Sequence, residues 1–315
     1  MKRAVYNKAI SSVKEILPKT LKTCLWLVRI MVFITLGIVF LRYFGLLPYF
    51  SRLISPLFNL LGLSGEAALA YVSGYFVNVY AAIAVIATLD IDVRSATILA
   101  TMVLCSHNMI AETTVQKKTG SSAVRIVILR TLSAFVLGFA LNKIMPGESN
   151  IVSGVVHTHD YQLSLMLEQW FFDTLKLVIT MTLLIFSLSI LQRLLSEFGV
   201  IRWVSKLLKP LMSFFGLPAR ASFLWIVANT LGLAYGAAVM IDERESGKIS
   251  KEDANLLNHH IAISHSNLED LLLVASVGGL IPWMLFSRWI LSFLLVWELR
   301  LEMAVKKKFL PLRTI

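Results

Sequence analysis

The stretch ISHSNLEDLLL, residues 263–273, sets Ser264, His265, Ser266, Asn267, Glu269 and Asp270 inside an apolar run. A shorter relative, CSHNMIAETTV at 105–115, does the same with Ser106, His107, Asn108 and Glu112. An ionisable group at bilayer depth costs on the order of 3 kcal/mol unless it faces the protein interior and finds a partner. The reading of these two stretches therefore decides what the surrounding apolar sequence builds.

That surrounding sequence is 57% hydrophobic and 16% charged, with a mean hydropathy of +0.74. Several segments approach the roughly 20 apolar residues that cross a bilayer core as a helix, and they are apolar on every face. An all-α integral membrane protein follows. The net charge of +11 gathers beside apolar spans, in residues 1–22, at Lys117–Lys118, in 202–209 and at Lys306–Lys308. Such clusters read as cytoplasmic anchors on anionic lipid and not as a nucleic-acid face. The first apolar stretch lacks a small-residue cleavage site and reads as a retained span. Cys24 and Cys105 both fall in apolar segments, so neither a disulfide framework nor a cysteine metal site is indicated.

Sliding the sequence by 154 residues pairs Thr20 with Thr174, Lys22 with Lys176, Gly45 with Gly199, Pro56 with Pro210 and Gly62 with Gly216. An offset of 158 pairs His107 with His265, Gly120 with Gly278 and Arg130 with Arg288. The chain thus divides into a basic segment 1–22, a first repeat 23–146, a linker 147–167, a second repeat 168–301 and a basic tail 302–315. Repeats of this size suggest transporter architecture. Each holds four apolar segments and an amphipathic piece: 23–41, 46–62, 65–89, 95–115 and 122–144, then 171–191, 200–216, 219–241, 254–276 and 279–297. If 65–89 and 219–241 dip in and return, with tips at Ser73-Gly74 and Asn229-Thr230, every basic cluster becomes cytoplasmic and the linker faces out. That gives an inverted-topology bundle of six spans plus two re-entrant hairpins, both termini cytoplasmic. Eight full spans is the alternative.

The order of span, interfacial helix ending in PLFNLLGLSG, hairpin-like segment, SHNMIAETTVQKKTG and an Arg-bearing span resembles the nucleoside-recognition (gate) domain family. That family takes in spore maturation membrane proteins and regions of concentrative nucleoside and ferrous iron transporters. The resemblance implies a transporter-like fold in a prokaryotic cytoplasmic membrane, with a site near the midplane. It brings no solute with it, since SGEAALAYVSGYFVNVY at 64–80 offers only Glu66, Ser73 and Asn78.

Three readings of the polar centre compete. In the first, His107, Glu112, His265 and Asp270 bind a solute or coupling ion, while Asn108, Ser266, Asn267, Glu269, Ser73, Asn229 and Thr230 add further polar contacts. On continuous helices Asn108 and Glu112 would share a face, as would Ser266 and Asp270, and His265 and Glu269. In the second, His107, His265 and Glu269 hold a divalent metal. In the third, Arg130 and Arg288 form structural ion pairs with Glu112 and Asp270. His259 and His260 are expected to be solvated near a helix end. HTHD at 157–160 reads as hydrated linker more readily than as a metal site.

The leading expectation is a secondary transporter of a small polar solute, nucleoside-like or other, possessing no resident cofactor and coupled to protons or cations. A divalent-metal transporter is the alternative, and a non-transporting membrane assembly protein of spore-maturation type is the rival from another class. An enzyme is not expected, because no phosphate loop or catalytic triad is recognisable. The lipid bilayer is the one large partner implied, and the reading is compatible with a homo-oligomer.

Overall fold

The computed structural model describes residues 2–147 and 162–309. The HTHD motif and most of the linker lie outside them. The described residues are helical, without strands. The first repeat runs α1 (Lys2–Tyr43), α2 (Leu47–Asn59), α3 (Ala67–Phe76), α4 (Val79–Ile86), α5 (Val93–Ser106), α6 (Met109–Lys118) and α7 (Ala123–Ile144). The second runs α8 (Leu163–Glu197), α9 (Val200–Leu207), α10 (Lys209–Phe214), α11 (Ser222–Thr230), α12 (Leu233–Glu245), α13 (Lys251–Ser264), α14 (Asp270–Ala275) and α15 (Ile281–Phe309).

The two halves share their punctuation as well as their helices. Asp92 caps α5 by accepting from Ser95 N–H at 2.9 Å, and Ser250, its counterpart, caps α13 by accepting from Asp253 N–H at 3.1 Å. Gly62 and Gly216 both sit at φ +71°, in the left-handed region that closes the interfacial helix at no steric cost. Asn108 and Ser266 adopt the same left-handed conformation, at φ 51° and 53°.

Among the described residues four helices are long and apolar enough to cross a membrane: residues 7–43, 93–118 (α5 and α6 together), 123–144 and 163–197. α15 has 29 residues and carries Arg288 within its apolar run. By contrast α3, α4 and α11 have 10, 8 and 9 residues, about 15 Å or less, half of a hydrocarbon core. α3 packs on α4, and α11 on α12. Their crossings are close because one arm of each pair carries glycine. A Cβ on Gly74 would lie 3.0 Å from Ala82 Cβ, and one on Gly236 would lie 3.2 Å from Ala228 Cβ. Glycine and alanine have exchanged arms between the halves, and the sum of side chains at the crossing is kept.

α1 and α8 occupy equivalent places and run antiparallel. Lys8 pairs with Glu197 at 3.1 Å, Glu15 with Arg193 at 2.8 Å, and Thr35 meets Thr174 at 3.3 Å. The basic segment 1–22 is not a separate unit, since α1 continues through it.

Three expectations need correction. The turns fall at Val77-Asn78 and Leu231-Gly232, one turn later than Ser73-Gly74 and two residues later than Asn229-Thr230. Asn78 decides the first, because its side chain caps α4 by accepting from Ala81 N–H at 2.9 Å. The helices over 95–115 and 254–276 are not continuous; each breaks just after its histidine. The expected i,i+4 face at His265/Glu269 therefore does not exist, while Asn108/Glu112 and Ser266/Asp270 still meet on one cavity wall.

Candidate functional site

Each break is held from two directions. Asn108 N–H donates to Gly74 C=O at 2.8 Å, and Ser266 N–H donates to Ala228 C=O at 3.1 Å, so each break rests on the first arm of its hairpin. On the other side Arg130 donates through Nε to Cys105 C=O at 2.9 Å and through Nη2 to His107 C=O at 2.8 Å. Arg288 donates through Nη1 to Ile263 C=O at 3.3 Å and His265 C=O at 3.2 Å. Both arginines are fully buried. They satisfy helix-end carbonyls that lipid would leave bare, and their charge suits the negative end of a helix dipole.

The breaks turn the two imidazoles towards each other, with ring centroids 5.2 Å apart. His107 Nε2 lies 3.2 Å from Glu112 Oε1 and 3.3 Å from Asp270 Oδ2. His265 Nε2 lies 3.3 Å from Glu112 Oε1 and 3.2 Å from its Oε2. Arg130 Nη2 holds Glu112 Oε2 at 2.7 Å. The opposite nitrogens face backbone: His107 Nδ1 is 3.1 Å from Val103 C=O, and His265 Nδ1 is 2.7 Å from Ile261 C=O. A carbonyl only accepts, which assigns the proton of each ring to Nδ1. Each Nε2 then presents a lone pair to a carboxylate oxygen. Two lone pairs cannot face one another at that distance without a proton or a cation between them.

A cavity of 300 Å³ opens beside this cluster. Asn78, Tyr80, His107, Asn108, Ala111 and Glu112 line it from the first half, and Leu231, Gly232, Ser266, Glu269 and Asp270 from the second.

The other expected residues lie elsewhere. Glu269 is not part of the histidine cluster: its carboxylate accepts from Tyr80 Oη at 2.9 Å and Gln192 Nε2 at 3.1 Å. Among the described residues the set close enough to share a metal is His107, Glu112 and His265, so Glu112 stands where Glu269 was expected. The helix break is the reason, because it carries Glu269 away from the face of His265. Arg130 pairs with Glu112, whereas Arg288 turns its Nη2 to Asn267 Oδ1 at 2.7 Å and leaves Asp270 to His107. Asn267 also binds Asn229, whose Nδ2 donates to Trp225 C=O at 2.8 Å. Asn229, Thr230 and Asn267 line a separate cavity of 260 Å³ with Trp225 and Trp289. Ser73 lies mid-helix in α3, outside both cavities.

His259 and His260 are buried, contrary to the expectation of solvation. His260 Nδ1 accepts from Trp225 Nε1 at 3.2 Å, within a box that Phe215 closes. Tyr80 and Gln192 were not singled out from sequence, and no periodicity marks them.

The nucleoside-recognition (gate) family profile matches residues 24–123, from within α1 to the first residue of α7. The uncharacterized membrane protein YvoD of Bacillus subtilis (strain 168) is 32% identical over 250 residues, which cover 78% of this chain and 80% of that protein. The chain belongs to the nucleoside-recognition gate family. It is a membrane protein of that family, and the part matched by the profile includes the first hairpin pair, His107 and Glu112. No solved structure matches.

Proposed function

We propose that this gate-family protein is a secondary transporter of a small polar solute or cation, working by alternating access. One observation carries the reading: two symmetry-matched helix breaks meet at a cavity lined by His107 and Glu112 from one half and by Ser266, Glu269 and Asp270 from the other, with the His265 imidazole against Glu112 behind it. Broken helices and short paired arms lining a polar chamber are how transporters place irregular backbone at membrane depth. The antiparallel pairing of equivalent helices α1 and α8 supports inversion of one repeat against the other. On this topology α3–α4 and α11–α12 are re-entrant hairpins, six helices span, and the N- and C-termini are cytoplasmic. No catalytic step is assigned to the cluster.

A sealed network with Arg130 at its centre would suit a non-transporting assembly protein instead, and the burial of Arg130, Glu112 and both histidines favours that rival. Accessibility separates the two. Cys24 and Cys105 are buried and leave a clean background. Ala111→Cys on the cavity wall is expected to react with a small aqueous thiol reagent applied to liposomes, and a solute that binds is expected to slow the reaction. An Ala111→Cys protein that stays unreactive from both sides rejects transport through this chamber.

A further inference from the structure

We infer that the chamber's cargo is a divalent first-row transition-metal ion, bound by His107 Nε2, His265 Nε2 and Glu112 Oε1. The claim that the ion is cargo rests on the transport reading above, whereas the claim that it binds does not. Three features of the geometry point to metal ligation.

First, each imidazole has its Nδ1 on a backbone carbonyl, Val103 or Ile261, and turns its Nε2 to the carboxylates of the site. That is the outer contact by which metal-binding histidines have their tautomer and ring orientation set.

Second, the two nitrogen-to-oxygen separations are long for one interaction and right for the other. A charge-assisted N–H···O contact is about 2.8 Å, and the same carboxylate shows one, 2.7 Å to Arg130. Its distances to the two Nε2 atoms are 3.2 and 3.3 Å. In a tetrahedral shell with bonds of about 2.05 Å, neighbouring donor atoms lie about 3.3 Å apart.

Third, Arg130 anchors Glu112 through Oε2 at 2.7 Å, an oxygen that also lies 3.2 Å from His265 Nε2, so Oε1, which faces both imidazoles, is held in place from behind.

Two nitrogens and one carboxylate suit Zn²⁺, Fe²⁺ or Mn²⁺, and three protein ligands leave an open position. Asp270 stands beside the three, 3.3 Å from His107 Nε2, and the cavity reaches His107, Glu112 and Asp270. A closed four-ligand shell would hold the ion as structure. An incomplete one lets it leave, which a cargo site requires.

The test uses the full chain in nanodiscs, with His157 and His159 of the linker replaced by alanine to remove a competing pair. Zn²⁺ is titrated by equilibrium dialysis with elemental analysis, and Co²⁺ is followed by its visible absorption. One ion per chain is expected, weakened at least about 100-fold by His265→Gln or Glu112→Gln, more than losing a contact that only orients a ligand produces. Variants are scored only if they remain monodisperse. His265→Cys gives a second reading, because a sulfur ligand adds a near-ultraviolet charge-transfer band to the Co²⁺ spectrum that a packing role cannot produce. Absence of stoichiometric binding, or binding indifferent to all three substitutions, overturns the inference. Zn²⁺ uptake into proteoliposomes then tests the cargo claim: binding without uptake keeps the site and rejects the cargo. A chamber open to thiol reagent without ligand-dependent metal binding rejects the metal and spares transport.

Discussion

Replacing Arg130 by methionine should be the most damaging single change in the first repeat, and the structure gives its size. Arg130 is fully buried and serves three acceptors: the carbonyls of Cys105 and His107 and the carboxylate of Glu112. Interhelical hydrogen bonds within bilayers average about 0.6 kcal/mol by double-mutant cycles, so the two carbonyls together account for roughly 1 kcal/mol. Stranding a buried carboxylate is larger, about 3–5 kcal/mol. The sum, about 5 kcal/mol, approaches the whole stability of an ordinary domain. The carboxylate dominates, and that has a distinctive consequence. Adding Glu112→Gln to Arg130→Met removes the stranded charge and should restore about 3 kcal/mol, although Glu112→Gln alone is destabilising. The assay is reversible unfolding in mixed micelles, with all four corners of the cycle measured in one lipid mixture. If Arg130→Met unfolds like wild type, or the double variant is no more stable than Arg130→Met, then Glu112 is not a charge held by that guanidinium.

Gly236→Ala should cost about 1–2 kcal/mol, because the new Cβ meets Ala228 at 3.2 Å; adding Ala228→Gly should recover most of it, since the pair then matches Gly74 and Ala82, and unfolding of the single and double variants checks both. Asn108→Gly should be close to neutral in the same assay, whereas Asn108→Val, forcing a β-branched residue to φ 51°, should lose about 2 kcal/mol. Lys248→Ala should leave the stability essentially unchanged, because its contact with Glu243 is solvent-exposed although it raises the lysine's proton affinity. A melting curve that shifts by more than a degree or two for Lys248→Ala would contradict this.

Composition and the apolar runs were enough to specify an all-helical membrane protein, because transfer of such segments into lipid depends on their content and hardly on their neighbours. The internal offsets of 154 and 158 located matching glycines, arginines and histidines, and the structure gives those matched positions matched backbone conformations. His107, His265, Glu112 and Asp270 were legible as a group for the same reason: nothing but a partner makes such residues tolerable at depth.

Which partner each one takes was a matter for the tertiary structure. A helical pattern carried through His107 and His265 looks continuous, since a break at a left-handed Asn108 or Ser266 leaves no mark in hydropathy. Once the break exists, the i,i+4 relation of His265 to Glu269 across it is void, and Glu269 passes to Tyr80 and Gln192 while Glu112 takes both imidazoles. Arg288 likewise leaves Asp270 for Asn267, because the second half carries an amide at the position where the first carries Met109. Sequence states which groups must be paired. Only the folded chain, by closing distances between residues 150 apart, states with which.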